Sequence, residues 1–189
     1  MKSVLGLLLA AFVAACSVPG PREPDRYFIL DAGIAASAAP RSGASVAVAP
    51  TSAASFYDTQ DIAYSRAPGT RAYYQFNRWT ERPQRSIHGQ LASRLEGGAP
   101  KSGLRLDTHL EEIYHDASEQ PGSARIAITA ELVDTADRAV LARRTFTRSA
   151  PAASYDAPGA VRGFNQALAA LIGDIEGWID AEVRPKSRR

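Results

Sequence analysis

Apolar and polar positions alternate along most of this chain, and where the alternation stops they fall instead into three- and four-residue steps. Ile126, Ile128, Ala130 and Leu132 occupy every second position, the period of a strand with one buried face. "DTADRA" then supplies turn residues, and Val140 to Arg148 returns as a partner strand. Just upstream, Leu104, Leu106, Thr108, Leu110, Glu112 and Tyr114 predict one side of another strand. Earlier still, "SFYDTQDIAYSR" and "RAYYQFNRW" are rich in aromatic and β-favouring residues, and "APGT" between them turns the pair into a hairpin. "RYFIL" (Arg26 to Leu30) and "SVAVA" (Ser45 to Ala49) read as two more strands, separated by the small-residue linker "AGIAASAAPRSGAS".

The helical steps occur twice. In "RPQRSIHGQLASRLEGG", Ile87, Leu91 and Leu95 are spaced by four, and Gly97-Gly98 closes the segment, which predicts an amphipathic helix with a C-terminal glycine. Near the end of the chain Phe164, Leu168, Leu171, Ile175, Trp178 and Ile179 form one continuous apolar face, the core-facing stripe of a long helix. Strands followed by a helix, then strands followed by a helix, predict an α+β fold. It is a single domain with a mixed β-sheet and two amphipathic helices packed on one face.

The start of the chain follows a different pattern. Lys2 precedes an apolar run from Val4 to Ala15, rich in Leu and Ala and ending on small residues, the layout of a secretory signal peptide. The run is too short for the roughly 20 residues that a membrane-spanning helix needs. The next residue, Cys16, is the only cysteine. An exported chain with one cysteine forms no internal disulfide. A reactive thiol needs a base beside it in a pocket, which a terminal tail does not offer. "VAAC" resembles the lipobox of bacterial lipoproteins, and that resemblance implies a diacylglyceryl thioether and an amide-linked acyl chain on Cys16. Two or more chains hold a protein stably on a membrane. Ser17 follows where an Asp would signal retention at the inner membrane, which in that class implies sorting to the outer membrane.

Residues 1–15 are thus read as signal peptide, 16–25 as a lipidated tether, 26–184 as the folded domain and 185–189 as a basic tail. Prolines 19, 21 and 24 keep the tether extended, a reach of some 20 to 30 Å at about 3.1 Å per residue. Loss of Lys2 with the signal segment leaves 21 of the 22 basic residues against 20 acidic ones. That near-neutral balance gives no electrostatic footprint for nucleic acid.

Candidate chemistry is sparse. There is no G-x-S-x-G, H-E-x-x-H, P-loop or dinucleotide glycine pattern, and we read no catalytic set, no cofactor and no metal site. His109, Glu111 and His115 share a predicted strand and are zinc-ligand types. The two imidazoles lie about 20 Å apart at about 3.3 Å per residue, too far to share one ion, so this trio is read as a charged outer face. His88 stands alone on the first predicted helix. Trp79, Trp178, Tyr73, Tyr74 and Phe76 stand at strand and helix spacings that favour a place in the core, with lipid contact as the competing role. Tyr73 and Tyr74 are adjacent on a strand and must point to opposite faces. One of them faces outward and makes this pair the candidate partner surface.

Several of these pieces together resemble a known family. Cys16, the "RYFIL" opening, "VAVAP" at Val46 to Pro50, "FYDTQDIAYSR", "NRWTERP" at Asn77 to Pro83, "LRLDTHLEEIYHD", "ARIAITAELVDT" and the Ala/Leu-rich last helix are similar to the ABC-type transport auxiliary lipoproteins, which include the PqiC-like lipoproteins. The resemblance runs over essentially the whole chain after Cys16, with Thr59-Gln60 and Pro83-Gln84-Arg85 departing from the usual pattern. It implies a non-catalytic subunit of an intermembrane lipid-transport system, not an enzyme, anchored by lipid in the outer membrane and facing the periplasm. It also implies a periplasmic MCE-domain protein of an ABC transporter as partner, and it is compatible with a homo-oligomer. The alternative is a periplasm-facing module that holds lipid in its own cavity. The many small Ala residues on the strands argue against a roomy apolar lining.

Overall fold

The structure, a computed structural model, describes residues 24–33, 45–96 and 103–183. The signal segment, Cys16, Ser17, most of the tether, Gly97-Gly98 and the tail at 185–189 lie outside the described residues. In chain order the elements are β1 (Arg26–Phe28), β2 (Ala47–Val48), β3 (Ser52–Ala53), a single 3₁₀ turn (Ser55–Tyr57), β4 (Asp61–Ser65), β5 (Ala72–Trp79), α1 (Pro83–Leu95), β6 (Leu104–Asp116), β7 (Ser123–Asp134), β8 (Val140–Pro151) and α2 (Ala157–Val183).

All the strands belong to one mixed sheet in the order β1-β5-β4-β6-β7-β8, with β2 and β3 attached to β6. The seam is β6. One of its edges pairs antiparallel with β7 from Leu104↔Asp134 to Asp116↔Ser123. The other is tiled by three parallel pieces: β2 at Arg105 and Leu106, β3 at His109 and Leu110, and β4 at His115 and Asp116. β4 and β5 form the hairpin predicted around "APGT", its turn closed by Thr70 N–H on the Ala67 carbonyl at 3.2 Å. The short Ser52–Ala53 strand is not legible in the sequence, because two residues have no periodicity to show.

The predicted face of β6 requires a correction. Leu106, Thr108 and Leu110 do line the core, but a bulge between Leu110 and Glu112 adds one residue. Past it the faces exchange: Ile113 pairs with Ile126 and His115 with Ala124, so these two point into the core, while Glu112 and Tyr114 turn to the other face. His115 is therefore 0% exposed and does not belong to a charged outer face.

Turn chemistry sets the hairpins on either side of β7. Asp116 accepts the Ser118 N–H, and Asp134 and Asp137 accept the amides of Ala136 and Ala139, side-chain bonds that hold a turn without neighbours. The α2 helix starts at Asp156, whose carboxylate accepts the Gly159 N–H at 2.8 Å, satisfying one of the helix's orphan donors. Pro83 begins α1, where its missing N–H costs no hydrogen bond.

Both helices cover the same face. Phe164, Leu168, Leu171, Ile175, Trp178 and Ile179 of α2 join Ile87, Leu91 and Leu95 of α1 and the inward residues of β6 and β7 in one core. Trp79 meets Phe164 edge-on at 5.6 Å and Trp178 meets Phe146 at 5.7 Å, which settles both tryptophans as core. α2 lies close to the sheet at Gly163, where an added Cβ would fall 2.9 Å from Ala124 Cβ and from the Pro151 carbonyl. No helix among the described residues is long and apolar enough to cross a membrane. The opposite face of the sheet is polar, carrying Arg105 on Asp107, Arg125 on Glu112, Arg143 on Glu131, and a Glu111, Thr129 and Thr145 hydrogen-bond chain.

Candidate functional site

Tyr73 and Tyr74 leave β5 in opposite directions, as adjacent strand residues must. Tyr73 is 38% exposed. Its ring stacks on Phe56 with centroids 4.5 Å apart, and its hydroxyl donates to the Phe56 carbonyl at 2.6 Å. Phe56 in turn meets Tyr57 edge-on. Behind them the Arg71 guanidinium lies 3.6 Å above the Tyr114 ring and donates from Nε to the Tyr57 hydroxyl at 3.0 Å. The result is an outward aromatic platform backed by a cation. The aromatic-rich "SFYDTQDIAYSR" predicts a strand through Phe56, whereas Ser55–Tyr57 forms a 3₁₀ turn and the strand is confined to Asp61–Ser65, so the partnership of Phe56 with Tyr73 is a contact that local periodicity does not show.

Tyr74 turns inward. Its hydroxyl lies 2.7 Å from His115 Nδ1, and His115 Nε2 lies 3.0 Å from the Pro121 carbonyl. A carbonyl only accepts, so Nε2 carries the proton, Nδ1 is the acceptor and the tyrosine is the donor. Burial lowers the His115 pKa below the ordinary imidazole value, against smaller opposing effects from the Pro121 carbonyl, Asp116 and Asp156. Burial also pushes the Tyr74 pKa up to about 12. Both rings stay neutral, and with both nitrogens bonded this imidazole has no free site for proton transfer or metal binding. Gly122 makes the geometry possible: its φ is +83°, and a Cβ there would collide with the Asp116 carbonyl and His115 Nε2.

The other histidines stand apart. His109 projects from the polar face of the sheet, with Nδ1 2.8 Å from Ser52 Oγ and Nε2 3.9 Å from Glu111 Oε2. The bulge places His109 and His115 on opposite faces, so the sequence trio does not converge. His88 Nδ1 is buried without a partner. Among the described residues no group of three or more His, Cys, Asp and Glu side chains is placed to hold a metal ion.

A groove of about 600 Å³ runs between β8 and α2. It is lined on one side by Arg144, Thr145, Phe146, Thr147 and Arg148, and on the other by Gly173, Asp174, Gly177, Trp178, Ala181 and Glu182. Arg148 is held by Asp174 through Nε at 2.5 Å and Nη2 at 2.7 Å. Arg144 lies 5.1 Å from the Phe146 ring centre. The sequence pattern of Val140 to Arg148 predicts only a partner for β7. That it ends the sheet depends on strand order, which periodicity does not encode.

Residues 27–176 match the family model described as the ABC-type transport auxiliary lipoprotein component. A crystal structure of a protein from Xanthomonas campestris is similar at a TM-score of 0.67 and 23% identity, covering 87% of this chain and 91% of that one. A crystal structure of an uncharacterized protein is similar at a TM-score of 0.64 and 15% identity, covering 83% and 99%. At these identities the likeness establishes the fold. No curated protein matches the chain.

Proposed function

The chain belongs to the ABC-type transport auxiliary lipoprotein component family, and from that premise we propose that it is a non-catalytic, lipid-anchored docking subunit of an intermembrane lipid-transport system. It stands at the outer membrane, faces the periplasm and holds a periplasmic MCE-domain protein of an ABC transporter. The observation that carries this reading is the extent of the family match, which begins in β1 and ends within α2, so the folded domain as a whole is the auxiliary module. Two further observations support it. The most buried histidine spends both ring nitrogens on the fold. The aromatic platform of Phe56 and Tyr73 spends apolar surface on solvent, which suits recognition better than catalysis.

The alternative, a module that holds lipid in its own cavity, fits less well. The groove beside α2 is open and lined by arginines and carboxylates, whereas lipid-holding sites are enclosed and mostly apolar. The test is crosslinking in cells combined with membrane fractionation and mass spectrometry of the purified protein. The docking reading expects a crosslink to the MCE-domain protein, and repeated crosslinks between copies would report a homo-oligomer. A stoichiometric co-purified lipid with no protein crosslink would overturn it in favour of a carrier.

A further inference from the structure

β8 is the last strand of the sheet, twelve residues long and paired only with β7 among the described residues. A strand in that position presents a row of unpaired N–H and C=O groups, which natural proteins shorten, bend or cover. Which groups point outward follows from one contact. The Ala152 N–H donates to the Gly122 carbonyl at 3.0 Å, so residues 152 and 122 form a hydrogen-bonded pair. In an antiparallel ladder such pairs alternate with non-bonded ones. Ala150, Arg148, Phe146 and Arg144 therefore bond to β7, while Ser149, Thr147, Thr145 and Arg143 turn their main-chain groups away from the sheet. Pro151 fits this phase, since it lacks an N–H and falls at an outward position.

The groove between β8 and α2 is the space an added strand would fill. Five consecutive residues, 144 to 148, line it. Side chains of consecutive strand residues alternate between faces, so part of what the groove exposes is main chain. Across from this edge α2 presents Gly173, Gly177 and Ala181, with nothing within 4 Å of a Cβ built on either glycine. That leaves room above the helix flank for every second side chain of an incoming strand. At the start of β8, Val140 and Leu141 are 55% and 54% exposed and extend the same edge with apolar surface.

Charge narrows the occupant. β8 contains Arg143, Arg144 and Arg148 and no acidic residue. Glu131 and Asp174 neutralise two of the three, but no carboxylate lies within ion-pair distance of Arg144 among the described residues. The chain's own C-terminal segment, "RPKSRR", carries the wrong sign. β1 and β2, the strands on either side of residues 34–44 in the chain, pair with β5 and β6 and not with β8.

We infer that the β8 edge, from Arg143 to Ser149, docks an extended segment of a partner protein by strand addition, with an acidic residue of that segment meeting Arg144. Main-chain bonds supply the affinity in this mode, and alternate side chains supply the specificity. The inference rests on the docking-subunit reading and gives it a surface.

The test uses the full mature chain in detergent and the purified periplasmic domain of the MCE-domain protein as probe. Adding the probe is expected to slow amide hydrogen exchange at Thr145 and Thr147 by at least about ten-fold, with little change at Arg144 and Phe146, which already bond to β7. Thr145→Pro removes an outward N–H, and Arg144→Glu reverses the free charge. Each is expected to weaken probe binding by about ten-fold or more. Arg144→Glu stays informative if the proline variant does not fold. Unchanged binding by folded Arg144→Glu, together with unchanged exchange at Thr145 and Thr147, would overturn the edge while leaving the docking reading intact. Absence of any binding by the wild-type chain would remove both. Slowed exchange that rises with protein concentration and needs no probe would assign the edge to a second copy and overturn the partner.

Discussion

Arg94 and Glu176 join the two helices through a pair of parallel hydrogen bonds, Nε to Oε1 at 2.6 Å and Nη2 to Oε2 at 2.9 Å, with side chains only 12% and 7% exposed. The arginine sits in the last turn of α1, where a cation is also favoured by the helix dipole. Desolvating both charges makes the intact pair a weak net stabiliser and the broken pair costly. Arg94→Met or Glu176→Leu alone is expected to cost about 3–5 kcal/mol, whereas the two together fall much closer to wild type. Urea melts of the four proteins in a double-mutant cycle check this, and additive single effects would contradict it.

Stability should fall on the acid side through His115. Its folded pKa lies below the unfolded value near 6.5, so the unfolded chain binds the extra proton first. The contribution of the neutral ring is complete above the unfolded pKa and is lost as pH drops below it toward the folded value, with a limiting slope of about 1.4 kcal/mol per pH unit. Melts of wild type and His115→Gln between pH 8 and 5 read this out. The variant is expected to start lower and to lose less on acidification.

Two glycines of α2 should respond with opposite sign. At Gly163 a methyl group meets Ala124 and the Pro151 carbonyl, so Gly163→Ala is expected to destabilise by about 1–3 kcal/mol through overpacking. At the exposed Gly173 nothing lies within 4 Å, so Gly173→Ala is expected to stabilise by about 0.5–1 kcal/mol through helix propensity. Because Gly173 also lines the β8 groove, that gain in melting temperature should come with weaker partner binding.

Cys16→Ser should leave a folded domain that no longer fractionates with membranes and no longer incorporates labelled palmitate, since two acyl chains are what hold such an anchor. Ser17→Asp should keep lipidation and folding but hold the protein at the inner membrane, in a bacterium that uses the Asp signal. It should then fail to complement a deletion under membrane stress. Full complementation from the inner membrane would favour a carrier role.

The α+β class, the "APGT" hairpin and both helices were legible because each has a regular apolar period long enough to read. The Leu110 to Glu112 bulge was not, since one inserted residue leaves the pattern of apolar residues on β6 nearly intact while exchanging its faces. His115 was misplaced for that reason alone. Its partner Tyr74 was visible only as half of an adjacent pair, because what distinguishes Tyr74 from Tyr73 is which face of β5 meets the turn at Pro121 and Gly122. Phe56 and the open edge of β8 depend on contacts between segments far apart in the chain. Local periodicity carries no record of these.

The tiling of β6 also orders the birth of the fold. β2 and β3 find their strand pairing only with a strand that begins at Leu104, and β4 completes its second edge there. A chain delivered N-terminus first therefore presents residues 47–53 before their template exists. The hairpin of β4 and β5 can close alone, but these short strands wait for about fifty more residues to emerge, and such non-local pairing is slow. During that interval Val46 and Val48, both fully or nearly fully buried at the end, are open to whatever holdase guards the emerging chain.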